Sequence, residues 1–267
     1  MSTIDKLEQI VEKLRDPIDG CPWDRKQTSA SLIPNFIEEV YEAVEAIENN
    51  DYPHLCEELG DILLHIMLQV KIAEEAKHFT LEEVIKEINK KLIRRHPHVF
   101  DKEFKSKSIQ SEQVKINWEK IKLEEKKHSR KSVLEGVPKN LPALIQAQRI
   151  QEKAASTGFD WKTKTNNLVD ISTPIFDKIY EEIDELRTEI AQNNQNNIEE
   201  ELGDLLFSIV NLSRKLKIDA ESSLRKSTEK FKKRFNKVEQ ICQNKNINIS
   251  DSDMDTLDDI WETIKKD

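Results

Sequence analysis

Residues 38–61 read EEVYEAVEAIENNDYPHLCEELGD, and residues 181–204 read EEIDELRTEIAQNNQNNIEEELGD. Set one beneath the other, Glu39, Glu42, Glu58 and Asp61 fall on Glu182, Glu185, Glu201 and Asp204 at a constant offset of 143, and Gly60 falls on Gly203. The same offset carries Trp118 and Lys122 to Trp261 and Lys265, while Gly20 and Trp23 match Gly158 and Trp161 at an offset of 138. A duplicated unit holds its working residues in register while its solvent face drifts. The chain therefore reads as one acidic module written twice.

Apolar residues recur around these segments at helical spacing. In the first copy Pro34 is expected to open a helix buried along Phe36, Ile37, Val40, Val44 and Ile47. Asn49-Asn50-Asp51 then turns the chain, and Pro53 opens a second helix with Leu55, Leu59, Ile62, Leu63, Ile66 and Val70 facing inward. In the second copy Pro174 opens a helix carrying Ile175, Ile179, Ile183, Leu186 and Ile190, Asn193 to Asn197 is the turn, and Leu202, Leu205, Leu206, Ile209 and Leu212 mark the next. Further stripes predict helices over 3–15, from Leu81 to Leu92, around Val114 to Leu123, from Lys226 to Val238 and from Leu257 to Ile264, with 244–255 as loop. His96-Pro97 ends the second of these, since the residue before proline avoids helical backbone. The fold class that follows is all-α: two tandem helical-bundle modules, at 1–123 and 143–267, joined by a charged linker at 124–142 that ends among Gly136, Pro138 and Pro142.

Composition agrees. The 267 residues are 35% charged and 37% hydrophobic with only five glycines and eight prolines, which suits stacked amphipathic helices better than strands and turns. A net charge of −9 repels a nucleic-acid backbone, so no nucleic-acid polymer is expected as partner. Cys21, Cys56 and Cys242 lie far apart, which argues against a zinc site or a disulfide framework and fits a reduced cytoplasmic location. The first twenty residues hold no apolar stretch, and the best apolar run, Ile62 to Leu68, is short and contains His65, so neither a signal peptide nor a membrane span is expected.

Glu39 and Glu42 lie about one turn apart on one helix and Glu58 and Asp61 on the next, as do their counterparts in the second copy. A short turn folds each helix pair back on itself, so four carboxylates converge where like charges repel unless a cation sits among them. All-oxygen donors, with no shared histidine or thiolate, favour Mg²⁺, with Mn²⁺ as a substitute. His65 becomes Ser208 at the offset of 143, which removes it from the ligand set. Gly60 and Gly203 interrupt helices at about 1 kcal/mol each, so close packing against the backbone is expected there. Lys230 with Arg234, and Lys91 with Arg95, lie one turn apart and suit a phosphate chain, although ordinary exposed basic residues show the same spacing. Trp118 and Trp261 either stack on a base or pin the last helix to the core, and Trp23 and Trp161 are read as structural.

The pattern EExxE, a gap, then ExxD, with the segments CPWD at 21–24 and RRHPHVF at 94–100, resembles the MazG nucleoside triphosphate pyrophosphohydrolases across essentially the whole chain. The resemblance implies cleavage of nucleoside triphosphates to monophosphate and pyrophosphate, Mg²⁺ dependence, broad base tolerance and a homodimer. Carried onto this sequence, it implies that Glu182, Glu185, Glu201 and Asp204 ligate the metal, and that Glu39, Glu42, Glu58 and Asp61 form a second set. Lys178, Lys230 and Arg234 would hold the triphosphate, and Trp261 with Lys265 would close over the nucleotide. Glu181 or one of the four ligands would act as general base. Lys178 becomes Asn35 at the offset of 143, so the second module is expected to be the main catalytic one. A di-iron carboxylate bundle would need Glu-x-x-His where both copies have Glu-x-x-Asp. The non-enzymatic alternative is a catalytically silent helical dimer that binds nucleotides or protein partners.

Overall fold

The computed structural model describes residues 2–101, 114, 117, 118, 121, 122, 124, 125, 132–161 and 167–266. The expected helix at 114–123 and linker at 124–142 thus lie partly outside the described residues. The chain divides into two compact units, Met1–Val114 and Lys115–Asp267, and the described residues contain helices and no strand.

In the first unit α1 (Thr3–Leu14) starts at a reciprocal cap between Ser2 and Asp5, and a short α2 (Pro22–Lys26) follows the turn at Gly20. That turn needs glycine, because an added Cβ would meet the Asp16 and Leu14 backbone at 2.4–2.6 Å. Helix α3 (Ile33–Asn49) ends at Asn50 in the left-handed conformation, and α4 (Tyr52–Glu75) begins two residues later, capped by Asp51. α5 (Leu81–Arg95) starts at a Thr80–Glu83 capping box and stops at His96, with α6 (Pro97–Phe100) after it. The core gathers Val11, Leu32, Met67 and Leu68, with Leu7, Leu64, Ile72 and Leu81 around them.

The second unit holds α7 (Ala143–Ser156), α8 (Leu168–Gln192), α9 (Gln195–Lys215), α10 (Ala220–Asn244) and α11 (Met254–Lys266). α8 packs along α9, α7 rests on α9 and α10, and α11 lies on α10. A second core joins Val238 and Cys242 of α10 to Ile260 and Ile264 of α11. Caps repeat too: left-handed Asn50 matches Asn193 at the offset of 143, and left-handed Lys77 matches Lys217 at an offset of 140.

Several expectations change. Pro174 lies inside α8, which begins six residues earlier where the Asn167 side chain accepts from the Val169 amide. One proline removes a single backbone bond, and the hydroxyls of Ser172 and Thr173 reinforce that turn by donating to the Val169 carbonyl. The turn before α9 is only Asn193-Asn194, and a short 3₁₀ turn at Ile249–Asp251 sits in the expected terminal loop.

The apolar stripes are corrected as well. On α3 the buried residues are Ala43 and Ala46, whereas Ile37, Val40 and Ile47 are exposed. α4 buries Glu58 and His65 beside Met67, Leu68, Val70 and Ala73, leaving Leu59 and Ile66 outside. α9 buries Ser208, Val210 and Asn211, with Leu202, Leu206 and Ile209 exposed, and Ile190 of α8 and most of the α5 stripe are also exposed. The inner face of each pair is shared with carboxylates and small residues, so the larger apolar side chains are displaced outward. The glycine expectation fails too: a Cβ added at Gly60 or Gly203 meets nothing within 4 Å, so neither is required by packing within its own chain.

Candidate active site

The acidic site is assembled by the two-residue turns that fold α3 onto α4 and α8 onto α9. In the second unit Glu182 is buried at 4% exposure, and carboxylate oxygens of Glu182, Glu201 and Asp204 all lie within 4.8 Å of one another. Glu185 is exposed and outside this trio. Its charge still reaches the site: loss of solvent first, then the charges of Glu185, Glu182 and Asp204, push the Glu201 carboxyl above its usual range. Lys178 sets its ammonium 2.8 Å from Glu182 Oε1 and 2.7 Å from Glu181 Oε1, and these contacts hold its pKa above the ordinary lysine value.

The first unit repeats the trio with a different member. Oxygens of Glu39, Glu42 and Glu58 lie within 4.8 Å of one another, and Asp61 stands outside the group. Desolvation, followed by the charges of Asp61 and Glu42 and a hydrogen bond shared with Glu58, pushes the Glu39 carboxyl up to about 7. Two histidines that the offset of 143 does not duplicate also belong to this neighbourhood. His54 Nε2 lies 2.8 Å from Glu58 Oε1, while His65 Nε2 lies 3.9 Å from Glu39 Oε1 with its ring stacked on Phe36. His54 was legible in principle, since it stands one helical turn before Glu58 on α4.

The raised Glu39 pKa has a sign. Its protonated form is favoured by the fold, so the stabilisation is fully present below the usual carboxylate pKa and is lost as pH rises through about 7. In chelator-treated protein, Glu39→Gln is expected to remove this dependence: relative to the variant, the wild-type chain loses thermal stability between about pH 5 and pH 8. Parallel melting-temperature profiles for the two proteins would contradict the assignment.

The basic and aromatic residues occupy the other helices of the second unit. Lys230 and Arg234 lie one turn apart on α10, and Phe231 between them stacks on Phe235 at 5.9 Å and meets Trp261 at 5.2 Å between ring centroids. Trp261 is partly buried against the core of α10 and α11, so core packing occupies part of its surface. Lys265 Nζ lies 6.0 Å from that ring and pairs with Glu262, and Lys122 lies 3.7 Å over Trp118, so both Trp-to-Lys matches are cation–π pairs. Trp23 and Trp161 keep about half their surface exposed. Neighbouring charges tie their segments down: Arg15 reaches the Asp24 carbonyl, and Asp160 pairs with Arg214 and Lys215 at 2.8 and 2.9 Å. The caps also settle the register of the basic pairs. Thr80 and Asp219 cap α5 and α10 at an offset of 139, and the same offset carries Lys91 to Lys230 and Arg95 to Arg234.

Two helical units, each with a carboxylate trio drawn from adjacent helices behind a two-residue turn, define a tandem all-α protein with a duplicated oxygen-donor site. The profile of the MazG nucleotide pyrophosphohydrolase domain matches this chain twice, over residues 27–100 and 173–239. The chain is 41% identical over 269 residues to the nucleoside triphosphate pyrophosphohydrolase of Escherichia coli K12, spanning 100% of this chain and 98% of that one. It is 44% identical over 261 residues to the nucleoside triphosphate pyrophosphohydrolase/pyrophosphatase MazG of Thermotoga maritima, spanning 98% and 95% of the two chains. YabN of Bacillus subtilis is 42% identical over 97% of this chain, which corresponds to 51% of that longer protein. The chain belongs to the MazG family. Among the described residues no helix is long and apolar enough to cross a membrane.

Proposed function

We propose that this chain hydrolyses nucleoside triphosphates to nucleoside monophosphate and pyrophosphate in a Mg²⁺-dependent reaction, with Mn²⁺ able to substitute. The observation that carries this reading is the convergence of carboxylate oxygens within 4.8 Å in both units, joined to full-length similarity to proteins named for that activity. The donor set fits a hard divalent cation. All contacting atoms are carboxylate oxygens, Glu39 is pushed up to about 7 by burial and then by the unneutralised carboxylates around it, and an ammonium group stands in as the cation beside Glu182. Glu182, Glu185, Glu201 and Asp204 would hold the ion in the second unit, and Glu39, Glu42, Glu58 and Asp61 in the first.

When bound, such an ion supplies an oriented water and offsets charge on the phosphates. The chain's own residues do the rest. Lys178, Lys230 and Arg234 bind the triphosphate oxygens and stabilise charge gathering on the departing pyrophosphate. Trp261 stacks on the base and Lys265 closes the edge, an arrangement tolerant of base identity because every base has a π face. Glu181, exposed and outside the proposed ligand set, or one of the four ligands would accept the proton of the attacking water. The second unit does most of the catalysis, since the first has Asn35 where the second has Lys178. The exposed rows on α4 and α9, including Leu59, Ile66, Leu202 and Leu206, support a homodimer that covers them.

The test is a panel of ribo- and deoxyribonucleoside triphosphates with Mg²⁺, analysed for both possible inorganic products. Pyrophosphate with stoichiometric monophosphate is expected across purines and pyrimidines. Orthophosphate with diphosphate would overturn the reading, since it reports cleavage at the γ position.

A further inference from the structure

Lys178 has no charged counterpart in the first unit, and its ammonium is spent on two carboxylates in a site otherwise suited to a metal. Glu182 is among the most enclosed charged side chains of the second unit, at 5% side-chain exposure, and a buried carboxylate without a partner is strongly unfavourable. Lys178 supplies that partner from one helical turn earlier, bridging Glu181 and Glu182 at 2.7 and 2.8 Å. In the first unit the equivalent of Lys178 is Asn35, the enclosed carboxylate is Glu58 at 7%, and its partner is His54 at 2.8 Å, contributed by the other helix. The two copies therefore balance their acidic clusters with different groups from different helices.

We infer that Lys178 is a displaceable internal counter-ion: it neutralises Glu182 while the site lacks a metal, and a divalent cation entering at Glu182 releases it toward the phosphate chain. A divalent ion and an ammonium a few ångströms apart on one carboxylate repel, so the two occupants exclude one another. The Lys178 side chain is 36% exposed, against 5% for Glu182, so part of it already faces solvent. The consequence is an order of events: metal first, then a lysine made available to the triphosphate. This rests on the metal-dependent reading proposed above.

The experiment uses the full chain with Glu39→Gln and Glu58→Gln throughout, so that Mn²⁺ binding reports the second unit, measured as free Mn²⁺ by electron paramagnetic resonance without nucleotide. Lys178→Met and Lys178→Gln, two variants of different polarity, are each expected to tighten Mn²⁺ binding by about tenfold, while Lys178→Arg, which keeps the charge, does not. With Mn²⁺ saturating, the same two variants are expected to bind a non-hydrolysable α,β-methylene triphosphate at least tenfold more weakly. Unchanged or weakened Mn²⁺ binding in both variants overturns the inference, as does tightened Mn²⁺ binding with undiminished nucleotide affinity. Glu182→Gln in the same background separates the two readings. If it leaves Mn²⁺ binding unchanged, the metal site itself is wrong; if it abolishes binding while Lys178→Met does not tighten it, only the counter-ion role fails.

Discussion

Glu182→Gln is expected to lower triphosphate hydrolysis by roughly 10²- to 10³-fold, with Glu39→Gln leaving most of the turnover in place. The substitution keeps the size and shape of the side chain and removes one charge from a trio whose oxygens lie within 4.8 Å. It also strips Lys178 of its more enclosed partner, leaving only the exposed Glu181 contact at 2.7 Å. On the proposed reading three features of the mutated position act together: ion binding, orientation of water and the disposition of a lysine that would bind phosphate. In the first unit Glu39→Gln removes the equivalent carboxyl, but that unit has Asn35 where the second has Lys178. No lysine is disturbed. Steady-state rates of pyrophosphate release from the two single variants decide the matter. Loss of turnover in Glu39→Gln with retention in Glu182→Gln would reverse the ranking of the units.

The second large effect is structural. Leu32→Ala is expected to destabilise the first unit by about 2–5 kcal/mol, the range for emptying a fully enclosed leucine site. Leu32 is completely buried although it precedes α3, and it fills the centre of a core made by Val11 of α1 with Met67 and Leu68 of α4. Few other side chains are available to close the gap, because α3 contributes only Ala43 and Ala46 as fully buried apolar residues. Chemical denaturation followed by fluorescence of Trp23, in a background where Trp118, Trp161 and Trp261 are replaced by phenylalanine, gives the change for this unit. A loss below about 1 kcal/mol would mean that the core collapses into the vacated space.

Much of the fold was legible from residues alone because the signals were local. Asn50 and Asn193 mark the turns since asparagine tolerates the left-handed conformation that ends both α3 and α8. The stripe beginning at Leu81 announces α5, and His96-Pro97 its end. The carboxylate pattern was legible for a related reason: spacing of three on a helix sets two side chains about one turn apart whatever lies around them. Pro174 misled, because proline marks a helix start only when no stronger cap precedes it, and Asn167 does. The stripes on α3, α4 and α9 misled for a deeper reason. Periodicity finds the apolar arc of a helix, whereas burial depends on what the neighbouring helix brings, and here it brings Glu58, His65 and Ser208 to the inside.

The sequence by itself determined an all-α chain, its duplication and the identity of the acidic residues, since each is written in local propensity, in caps and in register between the copies. Only the tertiary structure decided which three carboxylates of each set close on one another, that Glu185 and Asp61 stand apart, and that Lys178 and His54 lie within 2.8 Å of their respective buried glutamates. The physical reason is range. Spacing along one helix is set by backbone geometry, but distances between helices, and the loss of water that makes a buried charge need a partner, exist only after the helices have packed.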